Sequence, residues 1–529
     1  MNKLKKINWL LLFLVPIATV VVSCKKFLDR KPLQASLTDL KGGQLESQTY
    51  VLYSQLPWDW GFNLSWVCFH SIRDDDAEKG SSQTDGAEVD AEFNTFSYTK
   101  NDWEPNAYWG DHQYVIAQAN NALASAKALG TLDAASARNV GECLCFRAMC
   151  YFDLVRSFGE VPLYTSAIVD PKDAIIPKSS VGAIYAQIDS DLNIASQYLP
   201  VDASAYGPGF DGRLTKGAAL TLWAQTYLMR SNWPQVIALC NQVIGLGKYS
   251  LQSDFSDLWR SGPNGEYHNL PESIWETQTS VGQNAATNGA VDNGTMWQVS
   301  QGIRQGGADA TWNLGWGWNV PTQHLVSAWD STDPRKNKTI LYSGKYDGGT
   351  AEGGYGLTLP PYDPAGVTGI QRPYYNKKVW ADPAMRAYTG QLTGNADWLG
   401  RKILRYADVI LMLAEASNET GDGATAAANL ELIRDRASGN LGQGRTILPY
   451  IPFVDQAQMR LAIKNERRFE FAMEGYRFFD LVRWTPATTD TIDAPHMLGS
   501  LGYQARNALY PLPQPAIDLN PKLVQNPDY

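Results

Sequence analysis

The chain has 529 residues, of which 44% are hydrophobic and 19% are charged, and its formal net charge is −9 at pH 7. A chain of this length and composition can bury a sizeable core, in one large domain or two ordinary ones. The acidic balance and the lack of a concentrated basic stretch argue against nucleic acid and anionic lipid as ligands.

The first 23 residues are typical of a secretory leader. Three lysines form a basic head, and the apolar run from Trp9 to Val22 is too short to span a bilayer comfortably. Cys24 follows small and apolar residues, as at the cleavage site of bacterial lipoproteins. We therefore predict a lipoprotein signal peptide over residues 1–23 and a lipid on Cys24, which would hold the protein durably at a membrane. The alternative is a cleaved leader followed by an incidental cysteine.

The other five cysteines do not indicate a disulfide framework or a zinc site. They are Cys68, Cys143, Cys145, Cys150 and Cys240. Their number is odd, and four of them fall in segments with helical apolar periodicity, where a thiol packs as a small hydrophobe. The three that lie close together in sequence have no neighbouring histidines. We expect buried free cysteines.

Apolar residues recur at helical spacing in segments that come in neighbouring pairs. The predicted helices cover about 106–128, 134–159 after a cap at Asp133, 179–199, 215–230, 234–244, 401–419, 424–437 and a long segment from 456 to 484. Two-helix units with short connections favour tetratricopeptide-like packing, in which each pair buries its apolar stripe against the next. The sequence thus predicts a mainly α fold built as a superhelix of helix pairs.

Two regions, about 55–103 and 261–400, carry few helical stripes and are rich in Gly, Asn, Gln and Trp. They are too long for passive connections, and irregular segments on a rigid scaffold often carry ligand contacts. We expect them to lie together as a large, irregular, loop-rich ligand-binding lobe over the helical body. Residues 24–529 would then form a single domain, with the helical scaffold at about 30–54, 104–260 and 400–484 and a C-terminal tail at 485–529.

Short tracts distributed along the chain carry a family resemblance. In the first two thirds they are Cys24–Asp29, Asp74–Glu78, Glu142 with Arg147–Val155, Phe158–Leu163, Gly212–Ala219, Glu272–Glu276, Asn319–Thr322 and Asp333–Arg335. In the C-terminal third they are Ile403–Val409, Ala414–Ala416, Glu466–Phe471, Gly475–Arg483 and Asn526–Tyr529. Taken in this order, from the leader to the last residue, they resemble the SusD/RagB family of bacterial surface glycan-binding lipoproteins.

The resemblance implies about four tetratricopeptide-like helix pairs wrapped by an irregular lobe. It also implies a lipoprotein in the outer membrane that faces the cell exterior and acts as a lid on a SusC-like TonB-dependent transporter. Such a lid captures an oligosaccharide, or in some members a peptide, and delivers it without making or breaking a bond. No enzyme activity and no cofactor are therefore expected. Lys25 and Lys26 stand where acidic residues often mark surface-exported lipoproteins, so the outward orientation depends on the resemblance alone.

Most charged residues in the apolar helical segments are predicted to stabilise the packing of the helices. Arg405, Asp408 and Glu415, and the cluster from Glu466 to Glu470, are expected to form helix-packing ion pairs rather than ligand contacts, because a charge in apolar surroundings needs a partner. Asp74, Asp76 and Glu78 alternate as in a calcium loop, although Lys79 stands where an EF-hand requires glycine. Calcium is therefore an alternative to helix capping or solvent exposure for these carboxylates.

The aromatic residues are the main reason to predict glycan binding, because an indole face stacks on the C–H face of a sugar ring. Charged and amide side chains then bind the hydroxyl groups. The predicted glycan-binding residues are Trp58, Trp60, Trp66, Arg73, Asp74, Trp297, Arg304 and Trp312, with at least two of the tryptophans facing ligand. The alternative is that the lobe uses tryptophan as its own core, and this is the expectation for Trp316 and Trp318.

Three rival functions stay open. A peptide-binding lid would share the same architecture, and a structural scaffold would bind its partner but no ligand. A surface glycoside hydrolase would need two carboxylates held close together in a cleft. The five histidines lack metal-ligand spacing, and the chain has neither a nucleophile elbow nor a Walker loop. The sequence therefore favours a binding protein that is not an enzyme.

Overall fold

The computed structural model describes residues 45–82, 86–260, 267–279, 295–305, 312, 314–365, 368–380, 399–442, 444–485 and 490–529. The predicted signal peptide and Cys24 lie outside these residues, so the lipid anchor stays a prediction. Within the described part of the chain, no helix combines the length and apolar character that crossing a membrane requires.

Helices dominate the described chain. The first eight are α1 (Glu46–Trp58), α2 (Leu64–Val67), α3 (Ala87–Asn94), α4 (Trp103–Leu129), α5 (Ala134–Phe158), α6 (Val181–Tyr198), α7 (Lys216–Met229) and α8 (Trp233–Gly245). The short helices α9 (Met296–Gln301), α10 (Gln323–Ala328) and α11 (Pro334–Thr339) lie in the lobe. The C-terminal part contains α12 (Tyr406–Glu419), α13 (Gly423–Ala437), α14 (Gln456–Glu470), α15 (Arg477–Trp484), α16 (Ala494–Leu498) and α17 (Gln514–Leu519).

The long helices pack in chain order, so that α4 to α8 contact one another in succession, α8 contacts α12, and α12 contacts α13 and α14. Helices joined by short connections form the pairs α4–α5, α7–α8 and α12–α13, while α6 packs between α5 and α7, and α14 packs on α12 and α13. The predicted mainly α fold, a helix-pair superhelix with an irregular lobe, is confirmed. The five cysteines after Cys24 are buried and free, also as predicted.

Side-chain caps explain where several scaffold helices begin. The Asp133 carboxylate accepts a hydrogen bond from the backbone N–H of Ser136 at 2.7 Å, and Asp455 caps α14 in the same way. Two predicted bounds are wrong. The helix predicted from residue 401 begins at Tyr406, because the preceding residues form a strand. The segment predicted from 456 to 484 is two helices, separated by a turn in which Gly475 has a φ of +78°.

Among the described residues, three two-stranded antiparallel sheets organise the lobe. The strands are β1 (Ala77–Gly80), β2 (Ser273–Glu276), β3 (Trp318–Pro321), β4 (Ile340–Tyr342), β5 (Tyr374–Asn376) and β6 (Lys402–Arg405). Strand β2, where the chain leaves the scaffold, pairs with β6, where it returns, so both crossings lie in one sheet. The β1–β3 pair joins the early loop region to the later one. The two regions therefore meet in one lobe, as expected.

The C-terminal helices are tied together by buried ion pairs. Arg467 lies 2.9 Å from Asp408, and the Glu470 carboxylate contacts Arg335, Arg405 and Arg436. Although burial alone would raise the pKa of Glu470, the three guanidinium groups hold it well below its usual range. The prediction of helix-packing ion pairs is confirmed.

Candidate ligand-binding site

One exposed aromatic surface lies where the scaffold meets the lobe. The Trp60 side chain is 48% exposed, and its ring centroid lies 5.2 Å from that of Trp103 and 6.5 Å from that of Trp316. Both contacts are edge-to-face, with interplanar angles of 75° and 64°. We call these three indoles the tryptophan cluster. They come from a 3₁₀ turn, the start of α4 and the lobe, and together they offer a platform of matching size to a sugar ring.

The turn that carries Trp60 is tightly fixed to helix α4. The backbone N–H of Gly61 donates to Asp111 at 2.6 Å, and a Cβ at Gly61 would lie 2.8 Å from the carbonyl oxygen of Ala107. Since residues 103, 107 and 111 are four apart, they form one stripe along the helix. The Asn63 amide also donates to a backbone carbonyl within the turn, at 2.9 Å. Trp60 is thus held in place before any ligand arrives.

Two carboxyl groups accompany the tryptophan cluster. Burial, and to a lesser extent the Asp111 carboxylate, raise the pKa of Asp59 to about 6. Burial also raises the pKa of Asp111, although the hydrogen bond from Gly61 opposes this. Carboxyl groups next to an aromatic platform supply the hydrogen-bonding atoms that fix the orientation of a sugar.

A second aromatic pair lies in the lobe. Trp312 stacks on Trp380 with their ring centroids 6.1 Å apart and their planes 2° from parallel. Trp380 is buried, and its indole N–H donates to Asp347 at 3.0 Å, whereas Trp312 is only half-buried. The buried ring therefore supports the more exposed one.

Two of the predicted tryptophans belong to the core. Trp66 is 6% exposed, and the guanidinium of Arg401 lies 3.5 Å from the centroid of its ring. The ring of His70 stacks on Trp66 at 3.8 Å, and Trp297, which is also buried, lies 5.6 Å away. The prediction that Trp66 and Trp297 face ligand is wrong, because other parts of the chain cover both rings.

Arg73 and Asp74 are also buried within the fold. Their prediction as ligand contacts is therefore wrong. Arg73 is fully buried, and its guanidinium lies 3.6 Å from the ring centroid of Phe478 and 4.3 Å from that of Tyr510. The Asp74 carboxylate accepts the backbone N–H of Asp76 at 2.7 Å. Burial raises the pKa of Asp74 well above its usual range, and the two following aspartates add to this effect. Neither side chain is available to a ligand.

For Trp58 and Arg304, the role of ligand contact stays a prediction. The Trp58 side chain lies outside what the structure describes, although its backbone ends helix α1. Arg304 is partly exposed, and its carbonyl oxygen accepts a hydrogen bond from the hydroxyl of Tyr375 at 3.1 Å.

The calcium alternative does not fit the acidic tract. Asp76 is paired with Arg468 at 2.9 Å, and Asp74 binds backbone N–H groups. Glu78 lies 3.5 Å from Arg372. Asp75, Asp76 and His324 lie close enough together to hold a metal ion, but Arg477 binds both oxygens of Asp75, at 2.8 and 2.9 Å. These carboxylates already have cationic or backbone partners that a metal ion would have to displace.

Sequence reasoning missed Trp103, Trp316, Asp59 and Asp111. Trp103 falls at the predicted boundary between the lobe and the first long helix, and Trp316 was expected in the core. A useful signal was the spacing of four residues between positions 103, 107 and 111, which places them on one face of the helix. The turn around Trp60 packs on this face.

A helix-pair scaffold that presents an irregular lobe with exposed aromatic rings defines a class of ligand-binding protein. A model described as "SusD family" matches residues 271–529, and one described as "Starch-binding associating with outer membrane" matches residues 26–228. The chain belongs to the SusD family, which is associated with the outer membrane.

Individual relatives agree with this assignment along most of the chain. SusD-like protein P2 of Formosa agariphila is 27% identical over 487 residues, with 89% of each chain covered. SusD-like protein P25 of the same organism is 25% identical, with 79% of this chain and 78% of the relative covered. A solved structure named "Laminarin binding SusD-like protein" is 26% identical, with a TM-score of 0.72, and the match covers 92% of this chain and 99% of that one.

Proposed function

We propose that the protein is a cell-surface lipoprotein that captures an oligosaccharide and delivers it to a SusC-like TonB-dependent transporter, acting as its lid. The lipid on Cys24 anchors it in the outer membrane, and the body faces the cell exterior. The protein binds its ligand and does not cleave it. The observation that carries the proposal is the rigidly held, half-exposed Trp60 in the tryptophan cluster.

In this account Trp60 supplies the main stacking surface. An aromatic contact of this kind contributes about 0.5–1.5 kcal/mol beyond the apolar area that it buries. Because the turn is fixed to α4 by Gly61, little conformational entropy is lost when the sugar stacks. Asp59 and Asp111 then bind hydroxyl groups at the edge of the ring. Trp312, backed by Trp380, extends the aromatic surface within the lobe.

The name of a similar solved structure supports the proposal that the ligand is a glycan. The 26% identical solved structure is named for laminarin binding, and its match spans nearly all of both chains. Laminarin is a glucan without charged groups, and such a ligand suits an uncharged aromatic platform. A stack of this kind also gives moderate affinity, which suits a protein that must release its ligand to a channel.

The binding site is tested with the protein that lacks residues 1–24 and a panel of neutral oligosaccharides that includes laminarihexaose. Binding is measured by isothermal titration calorimetry, for the wild type and for Trp60→Ala. The control is Tyr450→Ala, which removes a 39% exposed aromatic side chain far along the chain in the C-terminal scaffold. We expect Trp60→Ala to weaken binding at least tenfold and Tyr450→Ala to leave it unchanged. Equal affinities for all three proteins would overturn the site.

The same samples distinguish the rival functions. Incubation with each oligosaccharide should give no new reducing ends, and their appearance would instead indicate a glycoside hydrolase. A ligand at a hundred times its Kd adds about 2.7 kcal/mol of stability, so a thermal-shift screen with peptides separates a peptide lid from a glycan lid. The lid role predicts that the full-length lipoprotein co-purifies with an outer-membrane barrel from detergent extracts. Purification as a free lipoprotein would contradict it.

A further inference from the structure

The lobe contains a second cleft, of about 900 Å³, that shares no lining residue with the tryptophan cluster. Its floor is the β4–β5 sheet, one wall is helix α11, and the other is formed by residues 343–348 and 362. A cleft of this volume falls in the range of small-ligand sites. We call it the tyrosine–lysine cleft, after Lys336, Tyr342, Lys345, Tyr346, Tyr362 and Tyr374.

The aromatic side chains of this cleft are unusually exposed. Tyr346 is 61% exposed and Tyr362 is 50% exposed, which are the two highest values for an aromatic side chain among the described residues. On the floor, Tyr342 and Tyr374 meet edge-to-face, with their ring centroids 5.6 Å apart. Exposed aromatic rings that line one concave surface are typical of ligand contact rather than of core packing.

The charges of the cleft are arranged asymmetrically. Its two carboxylates are occupied by donors in its own wall: Asp347 accepts the backbone N–H groups of Tyr355 and Leu357 at 2.9 and 2.7 Å, and Glu352 accepts that of Gly349 at 2.8 Å. The two lysines on the rim have fewer partners. Within the described chain, Lys336 donates to a carbonyl oxygen at 3.1 Å, Lys345 lies 5.0 Å from the ring centroid of Tyr342, and neither forms an ion pair.

A third lysine makes the cleft rigid. The buried ammonium of Lys377 donates to the carbonyl oxygens of Asn337, Asp347 and Glu352 at 2.8, 2.6 and 2.9 Å. These carbonyls belong to both walls, so one side chain holds the walls at a fixed separation. Its hydrogen-bond partners are carbonyl oxygens. Burial lowers the pKa of Lys377 to about 8, and the charges of the nearby Asp347 and Glu352 carboxylates oppose this shift. The cleft is therefore preformed, and its lining of three lysines and two carboxylates keeps one positive charge in excess.

We propose that the tyrosine–lysine cleft binds a segment of the glycan that carries an acidic group, such as a uronate carboxylate or a sulfate ester. The tyrosine rings stack on the sugar, and Lys336 and Lys345 pair with the anion. This inference rests on the proposed function and deepens it, because it assigns an acidic glycan to a protein whose net charge is negative.

The test uses the protein lacking residues 1–24 and three hexasaccharides of equal length: laminarihexaose, an oligogalacturonate and a sulfated oligosaccharide. The double variant Lys336→Gln/Lys345→Gln removes both charges without removing bulk. The matched control is Lys172→Gln/Lys522→Gln, which removes two exposed lysines outside the cleft. Affinities are measured by calorimetry at two salt concentrations, because exposed ion pairs weaken as salt screens them.

We expect at least one acidic probe to bind the wild type about tenfold more tightly than the neutral probe, and the uronate and sulfate arms then identify the anion. The cleft variant should lose this preference and its salt dependence, while the control variant should keep both. If the neutral probe binds through Trp60 and neither acidic probe is preferred, the cleft proposal is overturned and the proposed function stands. If no glycan binds at all, both fail. An acidic preference that survives the cleft variant would place the anion elsewhere and also overturns the proposal.

Discussion

The C-terminal scaffold and the lobe differ in how several of their buried charged groups are satisfied. In the scaffold, charged side chains bind one another: Glu470 contacts Arg405 and Arg436, as well as Arg335 of the lobe, and Arg483 binds both oxygens of Glu415 at 2.6 and 2.7 Å. In the lobe, some charged side chains bind the backbone instead. Lys377 binds three carbonyl oxygens, and Arg372 binds those of Gly80 and Ser81 at 2.8 and 2.9 Å.

The difference follows from secondary structure. Helices satisfy their own backbone groups, so the side chains on their surfaces are available to pair across the helix interfaces. An irregular segment leaves backbone groups unpaired, and side chains must supply the missing donors and acceptors. The scaffold is therefore held together by pairs of charged side chains, whereas the exposed side chains of the lobe can differ as long as its contacts between side chains and backbone are kept. The candidate ligand contacts lie in or beside the lobe for this reason.

The largest expected effect comes from breaking the ionic centre of the scaffold. Glu470→Gln leaves Arg335, Arg405 and Arg436 buried around a neutral amide, and we expect a loss of about 3–5 kcal/mol in the free energy of unfolding. Urea denaturation followed by circular dichroism measures this. As a control, Glu419→Gln removes a more exposed partner of Arg460, at 2.6 Å, and should cost less than about 1 kcal/mol. Similar losses for both variants would contradict the central role of Glu470.

The sheet that joins scaffold and lobe should be sensitive to acid. Burial alone would raise the pKa of Glu276, but Lys402 and His268 lower it to about 2, from an ordinary value of 4.5. A lowered carboxyl pKa means that the stability it contributes is complete above pH 4.5 and is lost as the pH falls through 2. At neutral pH this contribution is up to about 3 kcal/mol.

Glu276→Gln tests this dependence directly. The free energy of unfolding of the variant should fall below that of the wild type at pH 7, and the gap should close as the pH is lowered from 4.5 to 2. Urea titrations at several pH values measure the gap. A gap that stays constant across this range would show that the ion pair is not the cause.

A smaller effect is expected where the two halves of the lobe meet. Gly80 has a φ of +81°, and an added Cβ would lie 2.3 Å from the carbonyl oxygen of Gly317. Gly80→Ala should therefore separate strands β1 and β3 and cost about 1–3 kcal/mol. Gly130→Ala is the matched control, because it has a similar φ of +75° with open space around it. Hydrogen exchange should increase in residues 77–81 and 318–321 only for the first variant, and equal protection in both would contradict the steric argument.

Sequence reasoning succeeded where periodicity decides the structure. The apolar stripes predicted the scaffold helices because burial of one face requires that spacing; the helix predicted at 424–437, for example, is observed at Gly423–Ala437. The strand at Lys402–Arg405 was missed because its pairing depends on a segment more than a hundred residues earlier. Local pattern carries no information about such a partner.

The candidate site was harder to predict for the same reason. In an irregular lobe, exposure depends on what covers a side chain, and the covering residues are distant in sequence. Arg401 covers Trp66, and Phe478 and Tyr510 enclose Arg73. Neither Trp66 nor Arg73 is therefore available to a ligand, although both lie near exposed tryptophans in the sequence. Trp60 and Trp312 were predicted as ligand contacts and keep accessible surface, while Trp316 was expected in the core yet contacts Trp60.

The smallest expected effect on stability belongs to the residue with the largest expected effect on binding. Trp60 is half-exposed and held by edge contacts, so Trp60→Ala should change the free energy of unfolding by less than about 1 kcal/mol. Calorimetric titration of Trp60→Ala and the wild type with the neutral oligosaccharide that binds best tests the central claim most directly. The account predicts at least a tenfold loss of affinity with unfolding otherwise unchanged. Wild-type affinity in the variant would contradict it.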